Sequence, residues 1–193
     1  MSNFRFAKDY LLHRFKAKNR HGLHSPFVYR LVDEVIYDFR AKKVYNEVEK
    51  LRSNNKTGAL PKVDQLLYRL VEDMKPGNLM VLGQVDGVTK LYLQKAVAET
   101  EINTDLDNSG KLDFVLIDAN EKGQALKYVE DCLPKVYDNT MLVLNGIYKN
   151  DVIRQAWQQI KLNPKVTVTV DLFWIGLVFF RGGQVREDFC IRF

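Results

Sequence analysis

Residues 78–98 read NLMVLGQVDGVTKLYLQKAVA, and the fold turns on this stretch. A short apolar run over 79–82 meets Gly83, passes through Gln84, Val85 and Asp86 to Gly87, and enters a helical segment carrying Leu91, Leu93 and Val97. The order is strand, glycine turn, helix. A residue without a Cβ takes backbone angles that others avoid, and it lets a ligand approach the main chain where a helix N-terminus presents unpaired N–H groups. Gly83, Gln84, Asp86 and Gly87 are therefore candidates for holding a nucleotide-like cofactor. Two glycines four apart also make an ordinary strand-to-helix turn, so the context has to decide.

Downstream, strands and helices alternate. Residues 112–117 form an apolar run that ends in Asp118, Ala119, Asn120 and Glu121, and Leu126, Val129 and Leu133 then line a helix that stops near Pro134. Residues 141–144 are a further buried type of strand, ending at Asn145 and Gly146. Asn150 caps a helix whose inner face is Ile153, Ala156, Trp157 and Ile160. Residues 166–170 alternate strictly, and 176–180 resume a strand after the aromatic corner Leu172-Phe173-Trp174-Ile175, which predicts an antiparallel hairpin. Residues 189–193 add a terminal strand. This order implies an α/β fold with a mostly parallel sheet, and in such sheets ligands sit beyond the carboxyl ends of the strands. Those ends are 83–87, 118–120 and 145–146.

Upstream the chain is helical. Residues 4–18 place Phe4, Ala7, Leu11 and Phe15 on one face, which reads as an amphipathic helix lying on something apolar. Ser25 and Pro26 read as an N-cap and first helical position, followed by Val28, Leu31, Val32, Val35, Ile36 and Phe39 at helical spacing. His21 and His24 sit three apart beside that cap. Without a third His or Cys nearby, capping or loop packing outranks a metal for them. A third helix over 41–52 turns Val44, Val48 and Leu51 inward. Residues 53–58 are polar and end in glycine, the best internal boundary, which divides the chain into a helical N-terminal extension, 1–58, and an α/β domain, 59–193. Val63, Leu66, Leu67, Leu70, Val71 and Met74 then make a regular helical stripe closed by Lys75, Pro76 and Gly77.

A chain of 193 residues is most simply one compact unit with a real core. Cys132 and Cys190 suit thiols in a reducing compartment rather than a disulfide framework. No signal peptide is read, because Arg5, Lys8 and Asp9 interrupt the N-terminus, and the most apolar window, 172–180, is far too short for a bilayer span. The expectation is a cytoplasmic protein without a membrane partner. The net charge of +5 is uneven: residues 1–62 carry 14 Lys or Arg against 6 Asp or Glu, and residues 63–193 carry 15 against 18. Such a basic third raises nucleic-acid binding, but no basic motif interleaved with aromatics supports it, and it ranks last. A homodimer contact through the exposed face of the hairpin and the apolar side of residues 4–15 is open.

These residues together resemble the class I S-adenosylmethionine-dependent methyltransferases, in particular the small catechol-type O-methyltransferases. The likeness is greatest to a bacterial branch with an N-terminal His-Gly-x-His-Ser-Pro-Phe-Val segment, matched by residues 21–28. It covers nearly the whole chain, including 66–87, 113–134 and 157–181. The resemblance implies a Rossmann-like sheet with S-adenosylmethionine as cofactor and a small-molecule acceptor if the protein is active. Gly83 and Gly87 would pass under the methionine part of the cofactor, with Gln84 and Asp86 in the same turn. Asp118 would match the acid that in metal-dependent relatives binds a divalent cation such as Mg²⁺, and Asn145 would fall where they carry a second acid. Three departures accompany the match. Val81 replaces the acid at the end of the first strand, Asp118-Ala119-Asn120-Glu121 stands for Asp-Gly-Asn-His, and Asn145-Gly146 replaces an Asp-Asp pair. The interval 99–111 must hold what in the family is a strand, a helix and another strand. Only one short strand fits, within 101–106 near Ile102. Glu101 or Asp105 would have to imitate the ribose-binding acid, and both also read as plain loop residues. The sequence therefore points to a methyltransferase-like protein with an eroded cofactor site, with a working O-methyltransferase as the alternative.

Overall fold

The structure is a computed structural model that describes residues 3–19, 22–52, 60–97, 99–119 and 123–193. His21, Asn120, Glu121 and the predicted boundary over 53–58 lie outside the described residues. Seven strands form one sheet in the order β2-β1-β3-β4-β6-β5-β7. They are β1 (Leu79–Gly83), β2 (Ile102–Asn103), β3 (Phe114–Asp118), β4 (Met141–Asn145), β5 (Val168–Asp171), β6 (Ile175–Phe179) and β7 (Glu187–Cys190). β2, β1, β3 and β4 run parallel, and β6 is antiparallel to both β4 and β5. This is the mostly parallel α/β sheet with an antiparallel hairpin that the sequence predicts.

The central strands are continuous apolar runs because both faces are covered. Leu79, Val81, Phe114, Leu116 and Val143 point into one core, together with residues of α2 (Pro26–Arg30), α4 (Pro61–Met74) and α5 (Gly87–Ala96). Met80, Leu82, Val115, Ile117, Leu142 and Leu144 point into the other, under α6 (Gln124–Cys132) and α7 (Asp151–Leu162). The α4 stripe is buried as read apart from the partly buried Met74, and the C-cap is Lys75 in the left-handed region, with Gly77 beyond it. Asn150 caps α7 by accepting from the Ile153 N–H at 2.9 Å, and all four inner residues of that helix are buried. Gly176 lies under the ring of Trp157, where a Cβ would come within 2.7 Å of the indole.

The helical N-terminus corrects several expectations. α1 (Asn3–Lys16) turns Phe6, Tyr10 and His13 toward the sheet, and leaves Phe4, Ala7, Leu11 and Phe15 in solvent. The inner face wins because an aromatic corner and a buried acid await it. Phe6 and Tyr10 pack edge-on against Phe173 at 5.1 and 5.0 Å, and His13 Nε2 lies 3.0 Å from Asp171 Oδ1. α2 continues as a π-helical turn, Leu31–Ile36, and stops before Phe39, which is exposed and stacks on Tyr37. The buried Arg69 of α4 donates to the carbonyls of Val35 and Ile36 at 2.8 and 3.2 Å, closing that turn. α3 (Lys43–Arg52) buries Tyr45 and Val48 and exposes Leu51.

The strands of the C-terminal hairpin, β5 and β6, are buried throughout. Its alternating Val and Thr residues are all buried in β5. Thr169 is tolerated there because its hydroxyl meets Asp188 of β7, which runs parallel to β5 at the sheet edge. β7 starts two residues earlier than predicted.

Candidate functional site

Three strand tips form one edge of the sheet. Register sets Gly83 beside Asp118, and Asn145 Nδ2 donates to Asp118 Oδ2 at 3.0 Å. The residues singled out at the tips are thus brought side by side. Gly83 has φ +95°, and a Cβ there would come within 2.0 Å of the Asp118 carbonyl oxygen. The same oxygen accepts from the Gln84 N–H at 3.3 Å. Gly83 is therefore required by the close approach of two strand ends. Gly87 differs: a Cβ on it would meet nothing within 4 Å.

Asp86 is the N-cap of α5. Its Oδ1 accepts from Val88 and Thr89 N–H at 2.9 and 3.0 Å, and its Oδ2 lies 2.8 Å from the Thr89 hydroxyl oxygen. Its carboxylate thus fastens the helix start. Behind it lies a buried network that sequence reading missed, because Asp64 falls beside the α4 stripe without any local signal. Thr89 Oγ1 lies 2.6 Å from Asp64 Oδ1, and the guanidinium of Arg52 bonds the other oxygen of this fully buried acid. Burial pushes the Asp64 carboxyl up, against the opposing bonds from Thr89 and Arg52, and the nearby Asp86 adds to the rise.

On the other side of the tips, α1 and the corner after β5 close the edge. The Trp174 carbonyl accepts from the Gly146 N–H at 2.8 Å, and Phe173 takes φ +69° to turn the corner. The Trp174 indole sits 5.6 Å from Phe6 and carries Lys62 Nζ 5.1 Å from its ring. Its Nε1 is buried and has no hydrogen-bond partner among the described residues.

The first edge of the sheet is short. β2 pairs with β1 only at Leu79–Ile102 and Met80–Asn103, so it stops well before the level of Gly83, and no strand lies outside it among the described residues. The chain then returns to β3 without a helix. Leu106 and Leu112 cover that face instead, and the Lys135 ammonium ties the loop by donating to the Ser109 carbonyl at 2.9 Å. Asp105 turns to its own loop. Its carboxylate accepts from Asn108 Nδ2 at 2.6 Å and from the Asp107 N–H at 3.0 Å, which holds it below the usual carboxylate range. Glu101 is exposed, and Val81 is buried in the core.

These positions test the groups that the resemblance implies. Mg²⁺ demands near-octahedral oxygen ligation. The tips offer one carboxylate and one amide whose N–H points at that carboxylate, and no group of three potential ligands occurs among the described residues. The described residues do not fit a divalent cation. Where the resemblance implies contacts to an S-adenosylmethionine ribose and adenine, the described chain has a two-residue strand and a self-bonded loop beside the turn at 83–87.

No protein-family model and no curated protein sequence matches the chain. Solved structures do. A methyltransferase of Podospora anserina bound to S-adenosylhomocysteine is similar with a TM-score of 0.59 at 11% identity, covering 82% of this chain and 97% of its own. An O-methyltransferase of Bacillus cereus in complex with the same compound gives 0.53 at 16% identity, covering 79% and 97%. An O-methyltransferase of Streptomyces achromogenes in complex with S-adenosylmethionine gives 0.51 at 14% identity, covering 80% and 95%. At these identities the likeness establishes a shared Rossmann-like methyltransferase fold.

Proposed function

We propose that the chain is a protein of the S-adenosylmethionine-dependent methyltransferase type whose adenosyl site is reduced. On this reading it binds the cofactor weakly or not at all, and it acts through contacts with other molecules. The observation that carries the reading is the length of β2: two paired residues, ending below the level of the glycine turn. A nucleoside bound beyond β1 needs side chains from the next strand to hold its ribose hydroxyls and flank its base, because an exposed adenosine gains little over water. Val81 and Asn145 add to the same conclusion, since each stands where the resemblance puts an acid. Calorimetric titration tests it. The reduced site gives no saturable heat with S-adenosylmethionine up to about 1 mM, whereas one-to-one binding in the range of about 1 to 10 μM would refute the proposal.

The second reading, a working O-methyltransferase, is favoured by one observation: Asp118 stands at a strand tip beside the intact turn. In it, Asp118 takes the proton of an acceptor hydroxyl held in line with the methyl group. Asp118→Ala then abolishes methyl transfer to any acceptor found by screening, and an unchanged rate excludes this role.

A further inference from the structure

α1 has two apolar faces, and the fold uses one of them. Phe6, Tyr10 and His13 are engaged with the corner at Phe173 and with Asp171. The opposite face carries Phe4, Leu11, Leu12 and Phe15, exposed by 80%, 56%, 45% and 86%. Four large apolar side chains exposed on one side of a surface helix mark a candidate interaction surface. Its charged surroundings say what it recognises. The one acid of α1, Asp9, is turned inward between Arg5 and Arg154, so every exposed charge on the helix, Lys8, Arg14 and Lys16, is positive. Lys18 and Arg192 extend the basic rim, the latter bonded to the Arg14 carbonyl. Elsewhere in the basic third several cations have acidic partners: Arg30 pairs with Asp73, Arg40 with Asp38, Lys42 with Glu72 and Arg52 with Asp64.

We propose that α1 docks the protein on an anionic lipid surface, with Phe4, Leu11, Leu12 and Phe15 entering the headgroup boundary and Lys8, Arg14 and Lys16 meeting lipid phosphates. Lys8 decides between a membrane and a second copy of this chain. At helical spacing it falls within the stripe, between Phe4 and Leu11. A dry seam between two helices would bury its ammonium and set two basic faces against each other, whereas at a lipid boundary its stem lies among acyl chains and its charge reaches the headgroups. This departs from the expectation of no membrane partner, which considered a bilayer span and not a helix lying on the surface. The inference is independent of the cofactor site.

Vesicle flotation of the full chain tests it. Wild-type protein floats with phosphatidylcholine vesicles containing about one third phosphatidylserine, and at least about tenfold less with phosphatidylcholine alone or at high salt. Two variants at solvent-exposed positions, Phe4→Ser/Leu11→Ser/Phe15→Ser and Lys8→Glu/Lys16→Glu, each lose the binding by a similar factor while keeping the wild-type urea midpoint. The proposal is overturned if wild type stays with the soluble fraction, or if either variant floats as wild type does. Light scattering that shows a dimer abolished by the triple variant likewise overturns it, and assigns the face to self-association.

Discussion

Replacing Gly83 by alanine separates the structural from the ligand-binding role of the glycine turn. At φ +95° an L-residue is strained, which costs about 1 to 2 kcal/mol. The new methyl would sit 2.0 Å from the Asp118 carbonyl oxygen, so the tips of β1 and β3 must part, and the Gln84 N–H bond to that oxygen goes with them for about 1 kcal/mol more. Backbone displacement in a packed sheet adds about 1 kcal/mol or more. The total is roughly 3 kcal/mol or above. With a urea slope of about 2 kcal/mol/M, the unfolding midpoint falls by about 1.5 M. Gly87→Ala is the internal control. It faces open space at the first position of α5, and gains up to about 0.5 kcal/mol from the stiffer unfolded chain. Urea melts followed by circular dichroism, without any ligand, read both values. If Gly83→Ala stays within about 0.5 kcal/mol of wild type, or if the two glycines respond alike, the reasoning about the strand tips is wrong.

Two further variants probe the buried polar groups. Burial of the His13 ring opposes its proton, but bonds to Asp171 and Cys190 outweigh that and lift its pKa from 6.5 to about 10. The raised folded value means that this contribution is complete below about pH 6.5 and is lost as pH rises through about 10. Wild type should therefore lose a few kcal/mol between pH 6 and pH 10, and His13→Gln should lose markedly less. An identical pH dependence in both would remove His13 from the account. Thr89→Val keeps the shape of α5 but strips one partner from each of Asp64 and Asp86, at a cost of about 2 kcal/mol. Differential scanning calorimetry checks it, and an unchanged melting temperature would show that the network behind the turn is unimportant.

The sheet was largely legible because strands covered on both faces must be apolar throughout, and because α4 and α7 each carry one apolar stripe and no rival. The edge strand at Ile102 was expected from the short interval together with the resemblance, since residues 99–111 leave no room for a second crossover and a right-handed connection straight from α5 to β3 would place that helix on the opposite face from the family's. α1 misled because Phe4, Leu11 and Phe15 compete with Phe6, Tyr10 and His13 around the same helix, and the winner depends on Asp171, 158 positions away from His13. The hairpin misled for a similar reason: Thr169 reads as solvent-facing until Asp188 is seen beside it. At the candidate site, the tips at Gly83, Asp118 and Asn145 were readable from strand ends. The capping role of Asp86 and the burial of Asp64 were not, because both rest on Thr89 and Arg52 arriving from different helices.

The proposal of a reduced adenosyl site is tested most directly by a crystal of the protein soaked with S-adenosylhomocysteine. The account predicts no ordered density for the ribose and adenine outside β1 and β2. Density for a complete nucleoside enclosed between the turn at Gly83 and any other segment of the chain would contradict it.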